Sequence, residues 1–342
     1  MAIAIREADI ESDRLLLMDA LFHYLTPLSD GPRFDWLYRN NPHGQVRAWI
    51  AMDRDRDVIV GSAAAFPRRL YVGGDREEFV WVLGDFCIND RYRSLGPALQ
   101  LQRACLSEVD SGMAAFCYDF PSPSMMAVYR RLHISPLAQM LRLAKPLRVD
   151  GKIREYFKTP IVAQGLSAAG NLLLALPDRT PRECESVAIG LQQGSCGEEF
   201  SALARQVGGC YGVCVQRSAE YLNWRYLAHA YRRYELLTAR RDGELLAYAF
   251  FSQNGGDATV ADLFGLQDIT VVSTLVRRLI VLLRERGMMS VSAPMIEAHP
   301  WIPLLRSQGF IVREARPMIV YSSKTRRCDG MNWFFMQGDR DS

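Results

Sequence analysis

The stretch that most constrains this chain runs from Phe79 to Glu108. Phe79 to Ile88 is an apolar run rich in strand formers. A short polar turn, Asn89-Asp90-Arg91-Tyr92-Arg93-Ser94, follows it, and from Pro97 the pattern predicts a helix to Glu108, closed by Asp110-Ser111-Gly112. Proline suits a first helical turn because the N–H it lacks would have had no partner there. A strand feeding a tight turn and then a helix start aims free backbone N–H groups and the positive end of the helix dipole at one place, which suits an anion. Gly96 lets backbone approach such an anion without a Cβ in the way, and Arg93 adds positive charge.

Around this unit the chain reads as alternating elements. Ala2 to Glu7 predicts a short strand, Ile10 to Leu25 a helix, and Phe34 to Arg39 an aromatic helical turn stopped by Asn40-Asn41-Pro42-His43-Gly44. Strand-like runs follow at Val46–Met52, Val58–Phe66 and Leu70–Val72, divided by Asp53 to Asp57 and by Pro67, with a Gly73-Gly74-Asp75 turn before Phe79. After the Pro97 helix comes an apolar strand, Met113 to Tyr118. Ser122-Pro123 then opens a helix, a serine cap with proline in first position.

The spacing Arg93-x-x-Gly96-x-Ala98, straight after a strand, resembles the acyl-CoA pyrophosphate loop of the GNAT acyltransferase superfamily, which reads Arg/Gln-x-x-Gly-x-Gly/Ala. Pro97 departs from that pattern, since it removes an amide that many members direct at the phosphates. A second match lies on the correct elements downstream. Tyr129-Arg130-Arg131-Leu132-His133-Ile134 resembles the family's Tyr-x-x-Leu-Gly-Phe segment, with His133 where glycine is usual, and Ser122 stands where many members carry asparagine. The meander of strands ending in the phosphate turn is also the order that the family shows.

Beyond a connector the pattern repeats. Leu222-Asn223-Trp224-Arg225-Tyr226 echoes Phe34-Asp35-Trp36-Leu37-Tyr38; Glu235–Arg240 and Leu245–Phe251 echo the first hairpin around Arg241-Asp242-Gly243. Ala258–Phe264 echoes the strand before the phosphate turn, with Asp262 in the place of Asp85, and Leu305 to Phe310 repeats the Tyr129 segment with Gly-Phe intact. The second phosphate turn would start at Gly265-Leu266-Gln267-Asp268, where Asp268 repels a diphosphate and β-branched residues replace the glycine. The resemblance therefore implies an α/β (α+β) fold of two tandem GNAT-type domains, each a mixed, mostly antiparallel sheet flanked by helices. The expected division is a CoA-binding domain at 1–148, a helical connector at 149–182 and a domain without the CoA loop at 183–342, serving as scaffold, acceptor platform or dimer surface.

The activity implied is transfer of an acyl group from acetyl-CoA or another acyl-CoA to a primary amine of a small molecule or amino sugar. The resemblance places CoA contacts at Cys87, Ile88, Arg93, Ser94, Leu95, Gly96, Ala98 and Ser122, with backbone N–H of Cys87 or Ile88 polarising the thioester carbonyl. Free amines have a pKa of about 10, so a base is useful at neutral pH. Asp85 is the candidate, directly or through water; its alternatives are satisfying backbone near Gly84 or pairing with an arginine. Tyr129 is the candidate acid for the departing sulfur, and its alternative is a core aromatic with a satisfied hydroxyl. Rival activities are a degenerate tandem interaction module and a CoA-independent peptidyl transferase that uses aminoacyl-tRNA.

The totals exclude other classes. With 342 residues the chain suggests two domains, and 49% hydrophobic against 23% charged residues describes a folded protein. A net charge of +3, from 41 basic and 38 acidic side chains, is too balanced to argue for nucleic acid or an anionic membrane. Met1 to Glu7 has no basic region before an apolar core, so no secretory leader and a cytoplasmic location are expected. Pro160 to Pro177 is apolar, but Gln164, Ser167 and Asn171 interrupt it. It predicts a buried or amphipathic helix with at most weak membrane contact. The eight cysteines include no second ligand pair at zinc spacing beside Cys210 and Cys214, and the five histidines form no metal or triad pattern, so no metal is expected.

Overall fold

The computed structural model describes residues 3–74, 76–92, 95–150, 153, 156, 160–175, 186–323, 328 and 330–340. Its strands are β1 (Ile3–Ala8), β2 (Arg47–Asp53), β3 (Val58–Val72), β4 (Glu77–Ile88), β5 (Phe116–Asp119), β6 (Ala138–Pro146) and β7 (Ala188–Leu191). They continue with β8 (Val213–Val215), β9 (Tyr234–Arg241), β10 (Glu244–Asn254), β11 (Asp257–Gly265), β12 (Ser290–Ile296), β13 (Ile311–Ser322) and β14 (Trp333–Phe334). The helices are α1 (Arg14–Tyr24), α2 (Gly31–Phe34), α3 (Leu95–Asp110), α4 (Pro123–Arg131) and α5 (Pro160–Ala175). After them come α6 (Glu198–Val207), α7 (Ala219–Leu222), α8 (Ile269–Glu285) and α9 (Ile302–Ser307).

The strands join in one sheet, in the order β1-β2-β3-β4-β5-β13-β6-β12-β11-β10-β9-β7. That order is symmetric about the β13–β6 pair. On one side β4 and β5 run parallel and β5 pairs antiparallel with β13; on the other β11 and β12 run parallel and β12 pairs antiparallel with β6. The front half thus lends β6 to the rear, and the rear lends β13 to the front. The sheet does not break where the chain crosses from one half to the other.

The helical turns repeated in sequence meet at the centre. Each is a single α-turn continued by a π-turn, α2 by Asp35–Arg39 and α7 by Asn223–Leu227. Trp36 Nε1 donates to the Trp224 carbonyl and Trp224 Nε1 donates to the Trp36 carbonyl, both at 2.8 Å, with the rings 5.4 Å apart. Reciprocal contacts of this kind are what a two-fold relation produces. Buried indole N–H groups need acceptors, and each such bond contributes about 1 kcal/mol.

Several sequence-level boundaries shift. Val58–Phe66 and Leu70–Val72 are one strand, β3, which passes through Pro67. Pairing with β2 ends at Ala65 and pairing with β8 begins at Leu70, so Pro67 lies in the gap where a missing donor costs a strand least. Asp242 and Gly243 both have positive φ, as a two-residue hairpin turn requires. Helix α5 turns Val162, Leu166, Leu172 and Leu173 outward. Among the described residues no helix is long and apolar enough to cross a membrane.

Candidate active site

β4 and β5 pair only at Trp81–Cys117 and Val82–Tyr118, and then part. Beyond Val82 the β4 edge has no strand partner among the described residues, and a cleft of about 750 Å³ opens there. Gly84 to Ile88 form one side of the opening and Asp119 to Ser122 the other. Ala98, Gln102 and Met125 line it from α3 and α4, whereas Tyr24, Arg33 and Trp36 line it from the opposite face of the sheet. The cleft therefore passes through the sheet.

A bulge sets the chemistry on β4. Register with β3 slips between Ser62 and Ala64, which face Cys87 and Gly84. The extra residue in β4 carries Asp85 at φ +48, a left-handed conformation uncommon outside glycine. Because strand side chains alternate, one extra residue exchanges the faces. Before the bulge, Val80 and Val82 belong to the cluster that contains Trp36 and Tyr38; after it Cys87 does. Asp85 is turned to that same side.

There Asp85 is buried and fully engaged. Arg33 Nη1 and Nη2 donate to its two oxygens at 2.7 and 2.5 Å, and the Tyr38 hydroxyl donates at 2.8 Å. Burial alone would lower the Arg33 pKa. The charge and hydrogen bonds of Asp85 outweigh it and hold the guanidinium protonated. Of the alternatives open for Asp85, the pairing with an arginine is present.

Tyr129 is also buried. Its hydroxyl donates to Asp119 Oδ2 at 2.7 Å and accepts from Gln102 Nε2 at 3.1 Å. Burial, with the Asp119 charge added, pushes this hydroxyl well above the ordinary tyrosine range. Asp119 and Gln102 line the cleft, and Tyr129 stands behind them. Asp119 and Gln102 escaped the sequence reading. The available signal was position: Asp119 directly follows the apolar run Met113 to Tyr118 and ends β5, as Asp85 precedes the turn.

The remaining sites fall as follows. Ile88 and Ala98 line the cleft. Cys87 lines the cleft too; its thiol lies 3.1 Å from Ser62 Oγ, and burial pushes it up to about 11. Ser122 lines the cleft and caps α4, its Oγ accepting from Met125 N–H at 3.2 Å. Leu95 and Gly96 begin α3, with Gly96 exposed. Arg93 and Ser94 lie outside the described residues.

The rear half has the same divergence, and it is closed. β11 and β12 pair from Asp257 to Thr259 and then separate. The chain's own residues 333–339 fill the gap: Ile296 N–H donates to the Phe335 carbonyl at 2.9 Å and Leu263 N–H to Met336 Sδ at 3.1 Å. Gly338 fits so closely that a Cβ there would meet the Tyr226 hydroxyl at 1.9 Å. At the start of α8, Asp268 Oδ1 accepts from the N–H groups of Thr270 and Val271 at 2.9 and 3.3 Å, so those amides already hold a carboxylate.

Solved structures share this architecture. A GCN5-related N-acetyltransferase from Anabaena variabilis ATCC 29413 matches 93% of this chain and 72% of its own, with TM-score 0.66 and 12% identity. The chain has a GNAT fold. A conserved protein of unknown function from Enterococcus faecalis V583, described as a probable N-acyltransferase, matches 94% of this chain and 72% of its own at TM-score 0.66 and 11% identity. Eis1 from Mycobacterium abscessus matches 94% and 73% at TM-score 0.59 and 12% identity. No protein-family model and no curated protein sequence matches the chain. At these identities the likeness is one of fold.

Proposed function

We propose that the front half is an acyl-CoA-dependent N-acyltransferase acting on a primary amine. One observation carries this: of two equivalent strand divergences, the front one is an open cleft beside the start of α3, and the rear one is filled by residues 333–339. Unpaired β4 edge offers main-chain hydrogen bonds to an extended arm, and the start of α3 offers amides and dipole to a diphosphate. Asp268 takes up the corresponding amides of α8, which fits a rear half without nucleotide.

In the reaction the amine nitrogen forms a bond to the thioester carbonyl carbon, the carbon–sulfur bond breaks, and nitrogen loses a proton while sulfur gains one. Asp119 faces the cleft and takes the proton from nitrogen, then passes it to sulfur and returns to the carboxylate. Tyr129 holds Asp119 from behind as a positioning residue, and Gln102 in turn donates to the Tyr129 hydroxyl. Asp85 is the anchor that fixes α2 and its π-turn against β4.

Calorimetry with acetyl-CoA on Gly96→Glu tests the site. A glutamate in the first turn of a helix is favoured by the dipole, so the fold is spared while a like charge meets the diphosphate. Loss of binding is expected, and unchanged affinity refutes the site.

A further inference from the structure

The cleft has a second end, on the α1–α2 face, where the rear half contributes a wall. Residues 228–233 follow the rear π-turn, and His229, Tyr231 and Arg232 line the cleft opposite Tyr24 and Leu28. The Tyr231 hydroxyl donates to Asp30 Oδ1 at 3.3 Å, which ties this loop to the start of α2.

The charges at this end are unequal in their engagement. Asp30 accepts from Arg33 N–H and Tyr231, Asp85 from Arg33 and Tyr38, and Asp119 from Tyr129. Arg232 is exposed and forms no ion pair among the described residues. The His229 ring centroid lies 4.2 Å from that of Trp36, and its Nδ1 accepts from the N–H groups of Tyr231 and Arg232 at 3.2 Å each. Its proton therefore sits on Nε2, and the ring serves the cleft as a donor. Burial, reinforced by the positive charges of Arg225, Arg232 and Arg33, lowers His229 to about 3. It is neutral at physiological pH and a poor base.

We infer that the amine acceptor carries an anionic group, a carboxylate or a phosphate, which binds Arg232 and the Nε2–H of His229 while its amine reaches Asp119 in the sheet. This inference rests on the acyltransferase assignment. An ammonium group alone at this wall meets the Arg232 guanidinium, which no carboxylate pairs with among the described residues, while the nearby Asp30 carboxylate is turned to Tyr231 and the Arg33 N–H. An anion neutralises that guanidinium and gains a charge-assisted hydrogen bond, which corresponds to roughly tenfold or more in affinity.

The test is thiol release from acetyl-CoA with matched amines: glycine against glycinamide, β-alanine against its amide, and phosphoethanolamine against ethanolamine. The charged member of at least one pair is expected to have a kcat/KM at least tenfold higher, chiefly through KM, and the pair that responds tells carboxylate from phosphate. Arg232→Glu is expected to reverse that preference and Arg232→Lys to keep it. Equal kcat/KM within every pair, turnover absent with all charged members, or a preference that Arg232→Glu leaves unmoved overturns the inference. Calorimetry on the wild-type protein separates the two levels. Binding of acetyl-CoA without charge preference sinks the inference alone, whereas no binding sinks the acyltransferase assignment and the inference with it.

Discussion

Asp85→Asn distinguishes an anchor from a base. Asparagine nearly matches aspartate in shape and is among the residues that tolerate the left-handed region, so the φ of +48 adds little cost. What changes is the charge. Arg33 is 5% exposed and takes its compensation from Asp85 through two hydrogen bonds. In the variant that guanidinium stays buried, and an amide NH₂ replaces an acceptor facing Arg33 or Tyr38. Removing one partner of a buried pair costs about 3–5 kcal/mol. Urea unfolding followed by tryptophan fluorescence is expected to show a loss of about 3 kcal/mol. Adding Arg33→Met removes the stranded charge, so the double variant should be more stable than Asp85→Asn alone. Stability within about 1 kcal/mol of the wild type together with abolished turnover refutes the reasoning and makes Asp85 a base.

Other outcomes follow from the same geometry. His133 takes φ +58 where its counterpart Gly309 takes +86, so His133→Gly is expected to stabilise by about 1 kcal/mol in urea unfolding; no gain would show the turn unstrained. Gly338→Ala drives a Cβ into the Tyr226 hydroxyl and is expected to cost about 1–3 kcal/mol, read as a lower Tm; an unchanged Tm would mean residues 333–339 are loosely held. Burial holds His43 and His299 well below the usual histidine range. The unfolded chain then binds more protons below about pH 6.5, so stability is fully present above that pH and falls beneath it, by up to about 1.4 kcal/mol per pH unit for each histidine. His299→Phe should flatten that slope between pH 6.5 and 5, and an identical slope would assign the acid sensitivity elsewhere.

Much of the fold was legible because it is local. The strand from Phe79 to Ile88 and the helix that ends at Asp110 follow from periodicity and a proline, and Ser122 caps the helix it precedes. The Trp36 and Trp224 turns were visible as a repeat, and each forms the same α-to-π turn. Pro67 misled because its tolerance depends on where β2 ends and β8 begins. Asp85 stood out by position, yet nothing near it in sequence marked Arg33 and Tyr38 as its partners. His229 and Arg232 carried no signal, since they reach the cleft from the other half of the chain.

The sequence by itself determined the Asp242-Gly243 turn, the Ser122 cap and the two Trp-containing helical turns, all set by neighbours a few residues apart. Only the tertiary structure decided which divergence stays open, that β6 and β13 are exchanged, and which donors occupy each carboxylate. Those depend on contacts between residues as distant as Trp36 and Trp224, 188 positions apart. Short-range pattern constrains backbone conformation, while the pairing of distant side chains is settled only when burial drives most polar groups to find a partner.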